Sequence, residues 1–160
     1  MNARSHRDDG QTGAVKLVVG TDGSDDAQRG VSWAATYAQA LDAEVVAVYS
    51  IELVYPAAPV AVPVLPEVDE SRRREVEAAL DEMCAPLRDA GVPYRTVVAD
   101  GNAAAALEDI ATDEGADLIV IGRRGRGGFQ ELVLGSVSHQ LLHHTRHTVA
   151  VVPPEEAAGS

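Results

Sequence analysis

Short apolar runs alternate with longer amphipathic stretches along most of this chain. The run KLVVG at Lys16–Gly20 predicts a first strand, and residues 44–49, 93–99, 117–122 and 147–154 predict four more. Most are continuous apolar runs rather than alternating ones, which is typical of strands covered on both faces. Strands that alternate with helices predict an α/β domain with a mainly parallel sheet and right-handed crossovers.

Apolar residues at helical spacing predict the helices between these strands. The first helix begins after Ser24, a good N-cap, and the second covers residues 68–90, where Pro86 should kink it or end it early. A third begins after the cap Asn102, and a fourth ends near His144. Each helix is expected to pack one face against the sheet.

The two ends of the chain and one internal stretch do not fit this alternation. Residues 1–14 are polar without an apolar period, and they predict a disordered tail; residues 154–160 form a second, shorter tail. The longest uncharged apolar stretch, 53–66, is interrupted by four prolines, which predicts a surface flap rather than a membrane span. No hydrophobic signal core precedes the first strand, so the protein is predicted to be cytoplasmic.

Composition narrows the choice of ligands. The chain has 160 residues, of which 46% are hydrophobic, and its formal net charge of −12 argues against broad electrostatic binding to nucleic acid or anionic membranes. A phosphate ligand must therefore be held by a local cluster. Cys84 is the only cysteine, which excludes an intramolecular disulfide, and its place four residues after Leu80 predicts a buried thiol.

Two loops at strand ends carry the candidate chemistry, since ligands of open parallel sheets bind beyond the carboxyl ends of the strands. Residues 20–24 follow the first strand, and residues 122–128 follow the fourth with four glycines and three arginines. Glycines let backbone N–H groups converge on an oxyanion, and a helix start adds the positive end of its dipole. The spacing is G-x2-G-x9-G-S across Gly122, Gly125, Gly135 and Ser136.

Better-known phosphate motifs do not match these loops. There is no G-x4-G-K-[ST], and a dinucleotide fingerprint would need a glycine where Gln130 stands. The simplest alternative is that these glycines only shape a tight, exposed turn. The complete spaced pattern favours a phosphate cradle.

With this spacing, the sequence strongly resembles the ATP-binding branch of the universal stress protein family. The resemblance covers residues 15–153 and includes VVGTDGSDDA at 18–27, close to the opening strand and loop of the family. It implies a fold like that of the adenine-nucleotide α-hydrolases, with five strands in the order 3-2-1-4-5 and helices on both faces. The nucleotide would lie across the ends of strands one and four.

The resemblance also implies roles for particular residues. Asp22 would contact the ribose, Ser50 would lie near the adenine, and the glycine loop and the start of the following helix would hold the phosphates. The family motif leaves the residues between its first two glycines unspecified, so phosphate contacts by the arginines there are a hypothesis. The nucleotide-binding residues expected in this way are Thr21, Asp22, Ser50, Gly122, Arg123, Arg124, Gly125, Gly135, Ser136, Val137 and Ser138.

The implied function is a regulatory switch that binds ATP, with Mg²⁺, and alters recognition of an unknown protein partner. AMP or cyclic AMP is the alternative ligand, and an adenylating enzyme or a slow ATPase is the alternative class. Self-phosphorylation at Ser136 or Ser138 also stays open. The resemblance further implies a homodimer through the last strand, Val149–Val152, whose exposed apolar edge would otherwise be an association liability.

Metal binding is a competing interpretation of two clusters. The acidic loop 21–26 lacks the terminal glutamate of a calcium loop. His139 and His143 are spaced to face one metal, but neither an HExxH motif nor a carboxylate partner accompanies them. A solvated helix end is the simpler interpretation of these histidines.

Overall fold

A computed structural model describes residues 13–52, 70–126 and 134–155. Its five strands form one parallel sheet in the order β3-β2-β1-β4-β5, which confirms the expected order. The strands are β1 Lys16–Gly20, β2 Glu44–Ile51, β3 Tyr94–Asp100, β4 Leu118–Gly122 and β5 Val149–Val152.

Five helices connect these strands within the described ranges. They are α1 Asp25–Leu41, α2 Glu70–Met83, α3 Ala85–Asp89, α4 Ala103–Glu114 and α5 Ser136–His144. Two predicted caps are confirmed: the Ser24 hydroxyl accepts from Ala27 N at 3.3 Å, and the Asn102 carbonyl oxygen accepts from Ala105 N at 2.9 Å. These side chains satisfy donors that the first turns of α1 and α4 leave open.

The predicted second helix is two helices, because proline interrupts it. α2 ends at Met83 and α3 begins at Ala85, with Pro86 in its first turn. A proline is tolerated there because the first turn of a helix needs no intrahelical N–H donor. The predicted break is confirmed, and the chain bends at Cys84, just before the proline.

The sheet is covered on both faces, as the continuous apolar strands predict. On one face, α1, α2 and α3 cover Leu17, Val19 and their neighbours, and on the other face α4 and α5 cover Val18 and Ile121. Because helices change faces between β1 and β4, this pair is the switch point of the sheet. A crevice is expected at the carboxyl ends of these two strands.

Several predictions concern residues outside the described ranges. Most of the predicted N-terminal tail, the proline-rich stretch and most of the C-terminal tail belong to residues 1–12, 53–69 and 156–160. Part of the arginine and glycine loop, 127–133, also lies outside them. Among the helices that are described, none combines the length and the apolar character needed to cross a membrane.

Cys84 is fully buried, as predicted, and burial raises the pKa of its thiol to about 11, with a further contribution from Asp81. At pH 8 we expect the native thiol to react with Ellman's reagent about 100-fold more slowly than the unfolded chain, because little thiolate is present. The thiol of the unfolded chain ionises at lower pH than the buried thiol of the native protein. The free energy of unfolding therefore falls as the pH rises from about 9 towards about 11. Equal rates for native and unfolded protein would contradict this expectation, and Cys84→Ala is the labelling control.

Candidate functional site

Asp22 joins the two loops at the carboxyl ends of β1 and β4. One carboxylate oxygen accepts a hydrogen bond from Ser24 N at 2.9 Å, inside its own turn. The other accepts from Arg126 N at 2.7 Å, across 104 residues of sequence. Each carboxylate oxygen has a second lone pair, so Asp22 can hold the loops together and still accept from a ligand hydroxyl.

Thr21 attaches the same turn to its surroundings. Its backbone N donates to Val48 O of β2 at 2.9 Å, and its hydroxyl accepts from Gly23 N at 3.3 Å. That hydroxyl also donates to the Met83 sulfur, 3.8 Å away at the end of α2. Thr21 is buried, so its main role in this structure is to position Asp22.

The motif glycines lie where backbone and carboxylate approach too closely for a side chain. A Cβ at Gly125 would lie 2.5 Å from the Asp22 carboxylate, and one at Gly135 would lie 3.1 Å from the Arg124 Cα. Gly135 N also donates to Arg123 O at 2.9 Å, which closes the loop onto itself. The spacing seen in the sequence is therefore a set of close contacts around one loop.

Ser138 supports this loop from beneath. Only 2% of the residue is exposed, and its hydroxyl lies 3.1 Å from Gly122 O and 3.0 Å from Arg123 O. The resemblance implies that backbone and hydroxyl groups of this stretch reach the phosphates; in this structure the Ser138 hydroxyl donates to these two backbone carbonyls. Its backbone N–H lies in the first turn of α5 with those of Ser136 and Val137.

The N-terminus of α5 differs from those of α1 and α4. Its N-cap residue is Gly135, and no side chain caps it in the part of the chain that the structure describes. The first-turn N–H groups of a helix have no intrahelical acceptors, and they carry the positive end of its dipole. Ser136, the first residue of the helix, is exposed. This helix start can therefore accept an anion.

Three arginines follow β4 and add positive charge. The Nε atom of Arg123 is buried and has no hydrogen-bond partner within the described ranges. Arg124 Nε lies 3.7 Å from the Asp26 carboxylate, which also pairs with Arg29 at 2.9 Å. The Arg126 side chain lies against the β1 turn. Asp22 and Asp26 offset part of this positive charge.

Ser50, expected near the adenine, lies at the carboxyl end of β2. Its hydroxyl donates to Gly101 O at 2.8 Å and connects this strand end to the loop before α4. No hydrogen bond given for the described residues joins Ser50 to Asp22 or to the glycine loop. It lies on the neighbouring strand, where it can form only the far end of a ligand site.

A cavity of about 440 Å³ opens beside the site, on the face covered by α2. Tyr49, Val76 and Met83 contribute apolar walls, and Arg72, Glu75 and Arg126 contribute charges of both signs. Sequence reasoning did not assign Met83 or Tyr49 to the site, because an apolar residue on a helix stripe is indistinguishable from a core residue. The arginines after β4 are evident in the sequence, but the sequence does not show that Arg126 lies beside α2.

The histidines form no metal centre within the described ranges. The His139 and His143 rings are 4.4 Å apart, and His147 Nε2 lies 3.1 Å from the Thr112 hydroxyl. Among the residues with described positions, no group of three or more His, Cys, Asp or Glu side chains is arranged to hold a metal ion.

Comparison with known sequences decides the family. The sequence model of the universal stress protein family matches residues 15–153. The chain belongs to the universal stress protein family. Its glycine spacing, its strand order and its switch-point loops are therefore features of a universal stress protein domain.

Related universal stress proteins occur in two bacteria, Bacillus subtilis and Mycolicibacterium smegmatis. One from Bacillus subtilis is 30% identical over 144 residues, which cover 86% of this chain and 97% of the relative. One from Mycolicibacterium smegmatis is 31% identical over 146 residues, which cover 89% of this chain. This universal stress protein spans about half, 49%, of that second relative.

Solved structures share the fold. A universal stress protein from Lactobacillus plantarum superposes with a TM-score of 0.74 at 24% identity, covering 87% of this chain and 97% of the other. A universal stress protein in complex with cAMP has a TM-score of 0.63 at 25% identity, with 86% and 95% covered. One from Archaeoglobus fulgidus in complex with dAMP has a TM-score of 0.65 at 20% identity, with 86% and 97% covered.

Proposed function

We propose that this universal stress protein binds an adenine nucleotide across the carboxyl ends of β1 and β4 and acts as a nucleotide-dependent regulatory switch. The observation that carries the proposal is the start of α5, which has no side-chain cap. The loop before it is held to the β1 turn by the hydrogen bond from Arg126 N to Asp22. Phosphates suit such a helix start because they accept several N–H donors and complement the dipole. The complex of a family member with cAMP supports the same ligand class.

The phosphates would be held by the glycine loop and by α5. The backbone N–H groups of Ser136, Val137 and Ser138 supply donors, and Arg123 supplies a buried Nε without a partner in the described ranges. A buried guanidinium nitrogen without an acceptor is costly, and a phosphate oxygen would relieve that cost. Arg124 can exchange its long contact with Asp26 for a phosphate.

The nucleoside would extend from Asp22 towards the end of β2. Asp22 keeps acceptor capacity for a ribose hydroxyl, and Thr21 holds it in place. Ser50 at the end of β2 marks the side on which the adenine would lie. The adenine assignment follows the family resemblance, and the phosphate assignment follows the geometry.

ATP with Mg²⁺ is the ligand we propose. Three arginines around one loop offer guanidinium donors to more than one phosphate group, which favours a triphosphate. Mg²⁺ would enter as the counterion of the triphosphate. AMP or cyclic AMP is the alternative, and the cAMP complex of a relative is the observation that favours it.

A switch is favoured over a catalyst by the way the local carboxylates are used. Asp22 accepts two backbone N–H donors, and Asp26 pairs with Arg29 and Arg124. A general base must be free to take a proton from an attacking water. Since Asp22 connects both loops, a ligand on either loop would be felt by the other, which suits a protein that signals occupancy to a partner.

Mg-ATP at 100 times its dissociation constant should stabilise the protein by about 2.7 kcal/mol and raise the melting temperature by roughly 5 to 10 °C. Differential scanning fluorimetry with ATP, AMP and cyclic AMP in parallel, each with Mg²⁺ or EDTA, measures this rise. The double variant Arg123→Ala plus Arg124→Ala should lose most of it with ATP. A rise with AMP or cyclic AMP alone would contradict ATP as the ligand, and no rise with any nucleotide would contradict the site.

We also propose that the protein is a homodimer joined by antiparallel pairing of β5. β5 is the last strand of the sheet and pairs with β4 on one side. Ile119 N and Arg123 N of the β4 side donate to Thr148 O and Val152 O, so even-numbered residues of β5 face β4. The backbone groups of Val149 and Val151 therefore point to the open edge, which is a template for a second strand.

A further inference from the structure

Met83 is the one methionine of this chain besides Met1. It is the last residue of α2, and it is partly exposed. Its side chain forms one wall of the cavity of about 440 Å³ beside the site, together with Tyr49 and Val76. A small solute that enters this cavity therefore meets the Met83 side chain.

The Met83 thioether also touches the turn that carries Asp22. Its sulfur lies 3.8 Å from the Thr21 hydroxyl, which donates to it. A Cβ at Gly23 would lie 2.8 Å from the Met83 Cε and 3.5 Å from the sulfur, so the side chain fits closely against this glycine. Nη2 of Arg126 lies 3.0 Å from the same Cβ position, which places the guanidinium beside the thioether.

The two groups beside the sulfur are both connected to Asp22. Thr21 precedes it in the turn, and the Thr21 hydroxyl accepts from Gly23 N on its other side. The backbone N of Arg126 donates to the Asp22 carboxylate at 2.7 Å. A change of size or polarity at the Met83 sulfur would therefore act on both loops that Asp22 joins.

The neighbouring cysteine is not available for sulfur chemistry near neutral pH. Cys84 is fully buried, and burial raises the pKa of its thiol to about 11, so very little of the reactive thiolate is present. A thioether has no proton to lose, and its reactivity with peroxides depends on access rather than on ionisation. Among the sulfur atoms that the structure describes, that of Met83 is the one that an oxidant can reach.

We propose that Met83 is an oxidation site whose modification by hydrogen peroxide weakens nucleotide binding. The sulfur lone pair attacks one peroxide oxygen, the O–O bond breaks and an S–O bond forms. The sulfur loses two electrons, and the proton of the transferred oxygen goes to the leaving hydroxide, which becomes water. The product is methionine sulfoxide, which methionine sulfoxide reductases convert back to the thioether. The effect on binding rests on the nucleotide site proposed above.

The sulfoxide oxygen is a much stronger acceptor than the thioether sulfur. Its nearest donors are the Thr21 hydroxyl and the Arg126 guanidinium. An O–H···O hydrogen bond is about 2.7–2.8 Å long, which is on the order of 1 Å shorter than the present contact with sulfur. Gly23 leaves no spare room for the added oxygen. Oxidation should therefore shift the turn and move the Asp22 carboxylate from its place between the loops.

The first experiment measures the modification itself. Purified full-length protein is treated with hydrogen peroxide at pH 7, and peptide mass spectrometry follows the sulfoxide at Met83 and at Met1 separately. Met83 of the native protein should react at a rate within about tenfold of that in the urea-unfolded chain, and saturating Mg-ATP should slow the reaction at Met83 but not at Met1. A native rate that is lower than this would overturn the oxidation site.

The second experiment measures the consequence for binding. Titration calorimetry should show that oxidation raises the Mg-ATP dissociation constant of wild type at least about tenfold, and that methionine sulfoxide reductases A and B reverse the rise. In Met83→Leu, the dissociation constants before and after peroxide should be equal, because leucine has no sulfur. Cys84→Ala is the matched control for the second sulfur, and it should respond to peroxide as wild type does.

Met83→Gln tests the polarity of this wall without any oxidant. Its amide places polar atoms where the sulfoxide oxygen would lie, so it should bind Mg-ATP more weakly than Met83→Leu. If oxidised wild type proves to be unfolded by circular dichroism, the comparison of these two variants decides the effect on binding. Equal affinities of Met83→Gln and Met83→Leu would then overturn it.

The outcomes separate this proposal from the nucleotide site. Unchanged affinity in fully oxidised wild type would overturn the regulation and leave the nucleotide site intact. An equal loss of affinity in peroxide-treated Met83→Leu would assign the loss to another residue, which also overturns the regulation. If reduced wild type binds no nucleotide, the proposed function fails and the effect on binding fails with it. The native oxidation rate then decides the modification site by itself.

Discussion

Gly122→Val should lower the melting temperature by roughly 6 to 12 °C and abolish the stabilisation by Mg-ATP. A Cβ at Gly122 would overlap the carbonyl group of Asp26 and lie 2.7 Å from Ala27 N, all backbone atoms of the first turn of α1. A flexible side chain could move aside, but this helix turn cannot. Overpacking of this kind costs about 3 kcal/mol or more, at about 2 to 4 °C for each kcal/mol in a domain of this size.

The loss of binding should follow from the same displacement. Gly122 ends β4, and the start of α1 carries Asp26, which contacts Arg124 of the loop after β4. Pushing α1 away from β4 separates the two loops that Asp22 joins. We expect Gly122→Ala to show the same effects at smaller size, because its Cβ meets the same atoms.

Gly115→Ala is the matched control. Gly115 ends α4 with a positive φ of 61°, and a Cβ there meets nothing within 4 Å. The substitution should cost about 1 kcal/mol through backbone strain alone, with Mg-ATP stabilisation retained. Normal stability and ATP binding in Gly122→Val, measured by scanning fluorimetry and titration calorimetry, would show that α1 does not pack on β4 as described.

Asp22→Ala should weaken Mg-ATP binding by at least about 30-fold and lower stability by about 1 to 3 kcal/mol. The substitution leaves Ser24 N and Arg126 N without their acceptor, and it removes the link between the two loops. Isothermal titration calorimetry gives the dissociation constant, and urea unfolding gives the stability. The affinity should fall by more than partial unfolding can explain, because even the folded variant lacks the carboxylate that accepts from the ligand.

Two further variants isolate the cause. Asp22→Asn keeps an acceptor for one loop only, so its affinity should lie between those of wild type and Asp22→Ala. Asp25→Ala removes an exposed carboxylate three residues along the chain and should leave affinity nearly unchanged. If Asp22→Ala binds Mg-ATP as tightly as wild type, the nucleotide does not lie between these loops.

The secondary structure of this chain can be predicted from local sequence patterns. The strands β1 and β4 are short continuous apolar runs, and Ser24 and Asn102 mark the helix starts that they cap in the structure. Such features are decided by neighbouring residues, so sequence reasoning can find them. The break near Pro86 was predicted for the same reason, although the bend itself falls at Cys84.

The hydrogen-bond partners of the site residues could not be predicted from local patterns. The sequence predicts Asp22 as a site residue. Its hydrogen bond to Arg126 N spans 104 residues, and no local pattern encodes it. Ser138 was expected in the phosphate-binding stretch, but no local pattern shows that its hydroxyl donates to two backbone carbonyls of the loop.

Local patterns along the chain establish the strands and helices, two of the helix caps, the family and the loops that carry the candidate site, because each rests on residues close together in the chain. Only the folded chain shows which groups meet there: Asp22 with Arg126, and the Gly122 backbone with α1. These contacts join residues far apart in sequence. They form only when the crossovers have placed β1 beside β4 and β5 at the edge of the sheet.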